Sequence, residues 1–156
     1  MLVLTAQQMA SIAAAAEAAW PGEGCGLLIG KGRRVVTVTQ VMNAENLLKS
    51  EGNDRFELDP AARFAAERAV RGTDRRVIGH WHSHPDGSAK PSATDMAQAW
   101  EPDMIWLIVG TAAHGEGHPQ TVQMLAHRLE RDTGRVFPIR MELAEKRACQ
   151  GARFPT

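Results

Sequence analysis

The run Arg76-Val77-Ile78-Gly79-His80-Trp81-His82-Ser83-His84-Pro85-Asp86-Gly87-Ser88-Ala89-Lys90-Pro91-Ser92-Ala93-Thr94-Asp95 decides how this chain is read. Arg76 to His84 has the character of a β-strand, and Pro85-Asp86-Gly87 breaks it. Side chains at i and i+2 of a strand share a face, so His82 and His84 stand about 6.5 Å apart at Cα. Both imidazoles then reach one metal ion at about 2.0–2.1 Å. The Pro85 to Pro91 loop can turn the chain back, Ser92 is placed to N-cap a helix over Ser92 to Trp100, and Asp95 falls in its first turn. Two histidines and one carboxylate leave a tetrahedral Zn²⁺ one open position for water. Taken singly, each half has an ordinary alternative: a hydrogen-bonded core histidine pair, and a capped helix with a carboxylate at its N-terminus.

Working outward, Thr5 followed by Gln8 is a capping-box pattern that predicts a helix from Ala6 to Trp20, ended by Pro21-Gly22, with Met9, Ile12, Ala13 and Ala16 on its buried face. Gly26 to Gly30 and Arg34 to Met42 read as a hairpin around Lys31-Gly32-Arg33. Asn43 to Asn53 is polar and reads as a loop. Asp59-Pro60 supplies an N-cap and a first-turn proline for a helix over Ala61 to Arg71, with Gly72 beyond its end. Met104 to Gly110 is a buried strand, and Ala112 to Gln120 carries loop residues. Thr121 to Leu129 and Arg135 to Leu143 form a hairpin across Asp132-Thr133-Gly134, with Ile139, Met141 and Leu143 alternating inward.

The length of 156 residues suits one domain with a real core. A formal net charge of zero removes any global attraction for nucleic acid or anionic membrane, though a local basic patch stays open. Cys25 and Cys149 make no disulfide framework, which fits a reducing compartment, and the cytoplasm is the expected location. The Ala-rich start has no Lys or Arg before Lys31 and is interrupted by Gln7, Gln8 and Glu17, so it reads as a helix of the mature protein rather than a leader. No apolar run approaches the ~18 residues that span a bilayer.

The spacing His82, one residue, His84, seven residues, Ser92, two residues, Asp95 resembles the JAMM signature H-x-H-x7-S-x2-D of the JAB1/MPN metalloprotease family, including the proline after the second histidine and the proline before the serine. Pro21-Gly22-Glu23-Gly24-Cys25-Gly26-Leu27-Leu28 is similar to the segment that carries the family's catalytic glutamate. Asn43, Phe56-Glu57-Leu58-Asp59 and Ile105 to Val109 extend the likeness, which runs from about Ala6 to Val109. The resemblance implies an α/β (α+β) fold of JAB1/MPN type, a curved mixed sheet flanked by helices with cytidine-deaminase-like architecture, spanning 1–143 with a tail over 144–156. It also implies one Zn²⁺ held by His82, His84 and Asp95, with Glu23 as general base and Ser92 as transition-state stabiliser. The implied reaction is hydrolysis of an amide at the C-terminal Gly-Gly tail of a ubiquitin-like or sulfur-carrier protein, as deconjugation or precursor trimming. A strand edge near Arg55 to Leu58, with Arg55 and Phe56 as substrate contacts, would take the tail by β-addition. The short interval between Asp95 and Ile105 leaves no room for a second insertion that grips one linkage, so broad tolerance is expected.

Other residues invite roles. His80 shares the face of His82 and His84 but would lie about 13 Å from His84 at Cα in a straight strand, so it is assigned to packing or to supporting the ligands. Cys25 reads as a small buried residue rather than a soft zinc ligand, His114 and His118 as solvated loop histidines rather than a second metal site, and Arg71 to Arg76 as a polar turn, with phosphate binding the lesser alternative. Two other functions fit the same fold: a noncatalytic scaffold, and a DNA-repair-associated member. The first is disfavoured because all five motif positions are present, the second because no helix-hairpin-helix segment precedes the motif and the net charge is zero. Zinc deaminases are related in fold, but their His-x-Glu and Pro-Cys-x-x-Cys pair is missing.

Overall fold

The structure is a computed structural model that describes residues 1–48 and 55–144. Part of the loop expected over Asn43 to Asn53, nearly all of the 144–156 tail, and Cys149 lie outside the described residues. In chain order the elements are β1 (Leu2–Leu4), α1 (Ala6–Ala19), β2 (Cys25–Lys31), β3 (Val36–Ala44), α2 (Pro60–Val70), β4 (Arg76–His84), α3 (Ala93–Ala97), β5 (Ile105–His114), β6 (His118–Glu130), β7 (Arg135–Ile139) and β8 (Met141–Leu143). The eight strands form one mixed sheet in the order β7-β6-β5-β4-β2-β3-β1-β8. Among the described residues no helix is long and apolar enough to cross a membrane.

Local chemistry sets the helices. Thr5 Oγ1 accepts the Gln8 N–H at 3.1 Å while Gln8 Oε1 accepts the Thr5 N–H at 2.9 Å, so the capping box is complete. Asp59 accepts the Ala61 N–H at 2.9 Å and Pro60 opens α2 with its φ already suited to a helix. α1 buries Ile12 and Ala16 on one face of the sheet, in a core with Leu28, Ile78, Trp81 and Leu107. α2 buries Ala66 and Val70 against Leu27 and Ile29 on the opposite face. α3 stops at Ala97, short of the expected Trp100, because Trp100 N–H turns back to the Gln98 carbonyl at 2.9 Å and Pro102 disfavours helical backbone at Glu101.

β4 pairs antiparallel with β2 and parallel with β5. Residues 112–120 are not an open loop. β5 continues to His114, Gly115 and Gly117 take positive φ in a tight turn, and β6 starts at His118, which pairs with His114. Arg135 to Leu143 is likewise not one strand of a hairpin. β7 pairs with β6 at one edge of the sheet, whereas β8 pairs with β1 at the other, and only Arg140 separates them. A chain that steps from one edge to the other in one residue requires the sheet to curve until its edges nearly meet, and the sheet is curved and nearly closed. Arg140 fixes the join by accepting the Leu2 N–H at 2.8 Å. Ile139 and Met141 pack on the core as expected, but Leu143 is 58% exposed because its strand ends at the rim. β1 was not anticipated.

Candidate metal centre

β4 carries His82 and His84 on the face that bears α2, and both are buried. Their Nε2 atoms lie 3.0 Å apart. Asp95 Oδ1 lies 3.1 Å from His82 Nε2, and its Oδ2 lies 3.2 Å from His84 Nε2. Among the described residues this is the group of His, Cys, Asp and Glu side chains able to hold a metal ion. An ion with bonds of about 2.0–2.1 Å in a tetrahedron separates its ligand atoms by about 3.3 Å, so the donor triangle already has the required size. The donor set, two imidazoles and one carboxylate, also suits zinc chemically. His84 Nδ1 donates to the Ser88 carbonyl at 3.1 Å, which leaves its Nε2 lone pair for the centre.

Asp95 reaches this position because the 85–91 loop folds back over β5. Gly110 permits it: a Cβ there would meet the Gly87 carbonyl oxygen at 2.1 Å. His127 on β6 is hydrogen-bonded to the Ala89 carbonyl at 2.9 Å and fastens the loop from beneath. Ser92 Oγ then accepts the Asp95 N–H at 3.0 Å, and Ser92 N–H donates to Asp95 Oδ2 at 2.7 Å. The capping serine therefore also aims the carboxylate.

Electrostatics follow from this geometry. Burial opposes ionisation of Asp95, but the two histidines on its oxygens and the Ser92 N–H outweigh it and hold the carboxyl well below the usual range. Burial lowers the His82 pKa despite Asp95. For His84 burial acts downward too, yet Asp95, then Glu23 and Asp86, raise its pKa overall.

Glu23 is buried in the segment between α1 and β2, close enough for its charge to act on His84. Two anchors hold this segment, and neither was legible beforehand. Ser83, between the two histidines but on the opposite face, accepts the Gly24 N–H at 2.8 Å through Oγ, and its own N–H donates to the Gly24 carbonyl at 2.9 Å. Asn46 donates from Nδ2 to the carbonyls of Glu23 (3.0 Å) and Arg55 (2.9 Å) and accepts N–H bonds from Leu48 and Glu57, both at 3.0 Å. Asn46 is buried, whereas Asn43, the asparagine singled out from sequence, is exposed on β3.

The substrate-contact residues divide. Arg55 is exposed; Phe56 is buried and stacks on the His82 ring with centroids 4.2 Å apart. Residues 55–57 are not in a strand, and Leu58 makes a single bridge to Asn46, so the expected strand edge is reduced to that one pairing. His80 packs edge-on against Trp106, its pKa pushed down to about 3 by burial, and lies outside the ligand group. Cys25 is buried, its Sγ facing the Ala44 and Glu45 carbonyls, and burial followed by the Glu23 charge pushes its thiol up to about 12. His114 and His118 are exposed. Beside His80 and Phe56 opens a cavity of about 500 Å³ between α2 and the 98–106 segment, walled also by Leu27, Leu58, Trp100 and Trp106.

Residues 5–126 match the family model described as prokaryotic homologs of the JAB domain. A desampylase of Haloferax volcanii is 32% identical over 101 residues, 65% of this chain and 71% of that protein. The CysO-cysteine peptidase of Mycobacterium tuberculosis is 28% identical over 116 residues, 71% of this chain and 74% of its own. The solution structure of a Desulfitobacterium hafniense protein, 30% identical, superposes with a TM-score of 0.75 and covers 94% of both chains.

Proposed function

The chain belongs to the prokaryotic JAB family, and from that premise we propose that it is a zinc-dependent peptidase or isopeptidase acting on the C-terminal tail of a ubiquitin-like or sulfur-carrier protein. The observation that carries this reading is the convergence of His82, His84 and Asp95 on one ion-sized triangle with a buried carboxylate, Glu23, beside it. The desampylase and CysO-cysteine peptidase among its relatives favour a protein tail as substrate. A Gly-Gly terminus fits because residues without side chains can approach buried groups such as His82, His84 and Asp95 closely.

His82, His84 and Asp95 would hold the ion. When bound, zinc supplies a Lewis acid that polarises the scissile carbonyl and lowers the pKa of water. Glu23 takes the proton from the attacking water and delivers it to the departing amine, the two halves of one acid–base cycle. Ser92 Oγ already accepts the Asp95 N–H, so its own proton is directed to the developing oxyanion, a contact worth about 2.7–4 kcal/mol for a well-placed donor. The cavity beside His80 and Phe56 receives the apolar part of the tail, and the exposed Arg55, next to Phe56 in the chain, is a further substrate contact.

Wild type and Glu23→Gln, incubated with ubiquitin-like proteins bearing a C-terminal extension, test the reading through the cleaved mass. Wild type is expected to release the extension, and Glu23→Gln to bind zinc one-to-one yet release none. Cleavage by Glu23→Gln, or wild type without stoichiometric metal, would remove the proposal.

A further inference from the structure

The end of the sheet remote from the metal centre gathers a different chemistry. Arg76 opens β4 and pairs with Gly30, whereas His82 pairs with Cys25, so about 20 Å of strand separates Arg76 from the nearer ligand. Four segments distant in sequence bring guanidinium groups to this end: the β2–β3 turn with Arg33 and Arg34, the start of β4 with Arg76, β6 with Arg128, and the β7–β8 join with Arg140. Two adjoining cavities lie among them. One, of about 690 Å³, is lined by Arg33, Arg76 and Arg128; the other, of about 380 Å³, by Arg33, Arg34, Arg128 and Arg140. Arg33 and Arg128 form the wall the two share.

The local charge is unbalanced although the chain carries none overall. Asp74 and Asp103 are the carboxylates lining these cavities, and Asp74 is already paired with Lys31 at 3.2 Å. Arg140 is paired with Glu142 at 2.7 Å. Among the described residues Arg33, Arg34, Arg76 and Arg128 make no ion pair, and Arg128 Nε is buried without a hydrogen-bond partner. A guanidinium cannot relieve this by losing its proton, and a buried N–H left unpaired is destabilising.

From this arrangement we infer that the protein has a second site here, independent of the proposed peptidase activity, which binds a short polyphosphate chain between Arg33 and Arg128. Planar forks arriving from several directions match phosphate oxygens two at a time, which one carboxylate would not satisfy. The cavities fall in the size range of small-molecule sites. They are concave, which selects a compact anion over a duplex. The phosphate chain has two sources, a nucleoside triphosphate or inorganic polyphosphate.

Calorimetric titration of the zinc-loaded full chain with sodium tripolyphosphate and, separately, with ATP tests the site, using Arg33→Met, Arg128→Met and the control Arg68→Met on the exposed side of α2. The expected result is saturable binding weakened about tenfold or more by Arg33→Met and by Arg128→Met, and unchanged by Arg68→Met. Arg33 lies in a turn, so it reports even if Arg128→Met fails to fold. Equal affinity for the two ligands identifies the phosphate chain alone as what is recognised, and tighter ATP binding adds the nucleoside. Absence of binding at about 1 mM ligand overturns the inference. So does a loss as large in Arg68→Met, which would mean general charge attraction, or binding indifferent to Arg33→Met, which would mean chelation of the metal.

Discussion

Asn46 uses all four of its hydrogen-bonding positions to tie the backbone before β2 to the backbone around Phe56. One side chain thereby places both Glu23 and the ring stacked on His82. Asn46→Ala leaves two N–H groups and two carbonyls to find new partners, part of which water can supply, and is expected to cost about 2–4 kcal/mol in denaturant unfolding. It should lower kcat far more than zinc content, because the ligands stand on other segments; unchanged turnover would dismiss the positioning role. The proposed ligands make their own prediction with pH. His84 has a raised folded pKa, so its pairing with Asp95 stabilises the metal-free protein fully below the unfolded histidine value of about 6.5 and is lost as pH rises through the folded value. Asp95 has a depressed pKa, so its contribution is present above about 3.9 and is lost as pH falls. His82, depressed by burial, acts oppositely to His84, contributing fully above about 6.5. On the proposed reading zinc displaces the His84 proton, so the rise in Tm on adding zinc is expected to grow from pH 6 to pH 8. A flat response would mean that His84 is not a ligand.

Among the elements, the 85–91 loop decides whether Asp95 meets the histidines, and it lies on β5 only because Gly110 has no side chain. Gly110→Ala places a carbon 2.1 Å from the Gly87 backbone oxygen, where no rotamer change relieves it. The loop should lift and carry Ser92 and Asp95 with it, weakening zinc about tenfold or more while far-UV circular dichroism keeps its sheet signal. Full zinc affinity in this variant would show that the loop is not held by that contact. The histidine strand and both longer helices were legible because their signals are local: a turn after His84, a capping box at Thr5, Asp-Pro before α2. Leu2-Val3-Leu4 is too short to show a period, so β1 was hidden. Arg135 to Leu143 alternates without a break, and nothing in the alternation marks the residue at which the chain changes sheet edges. Likewise the grouping of His82, His84 and Asp95 could be expected from spacing, and Glu23 from the resemblance of its segment, while Ser83, Asn46 and His127 act through partners far along the chain, which spacing does not encode.

At the scale of the whole molecule the sheet separates stability from chemistry. α1 and the largest core cluster fill one face, while the candidate metal centre, Phe56, Trp106 and α2 occupy the other. Closure of the sheet makes the first face an interior that α1 plugs, with Ile12 fully buried at its middle among Leu2, Leu4, Val36 and Leu107. Ile12→Ala removes three carbons from a place that the curved strands cannot easily collapse to fill, and is expected to cost about 2–4 kcal/mol in unfolding free energy. For a domain whose total is about 5–15 kcal/mol this is a large fraction. The three candidate ligands, however, stand on the opposite face, on the histidine side of β4 and at the end of the 85–91 loop, whereas Ile12 shares its core with Ile78 and Trp81 on the other side of that strand. Zinc affinity and kcat measured well below the lowered Tm should therefore stay within about twofold of wild type. If instead zinc affinity fell in step with stability at that temperature, the two faces would be one coupled unit, and the division of labour across the sheet would be wrong.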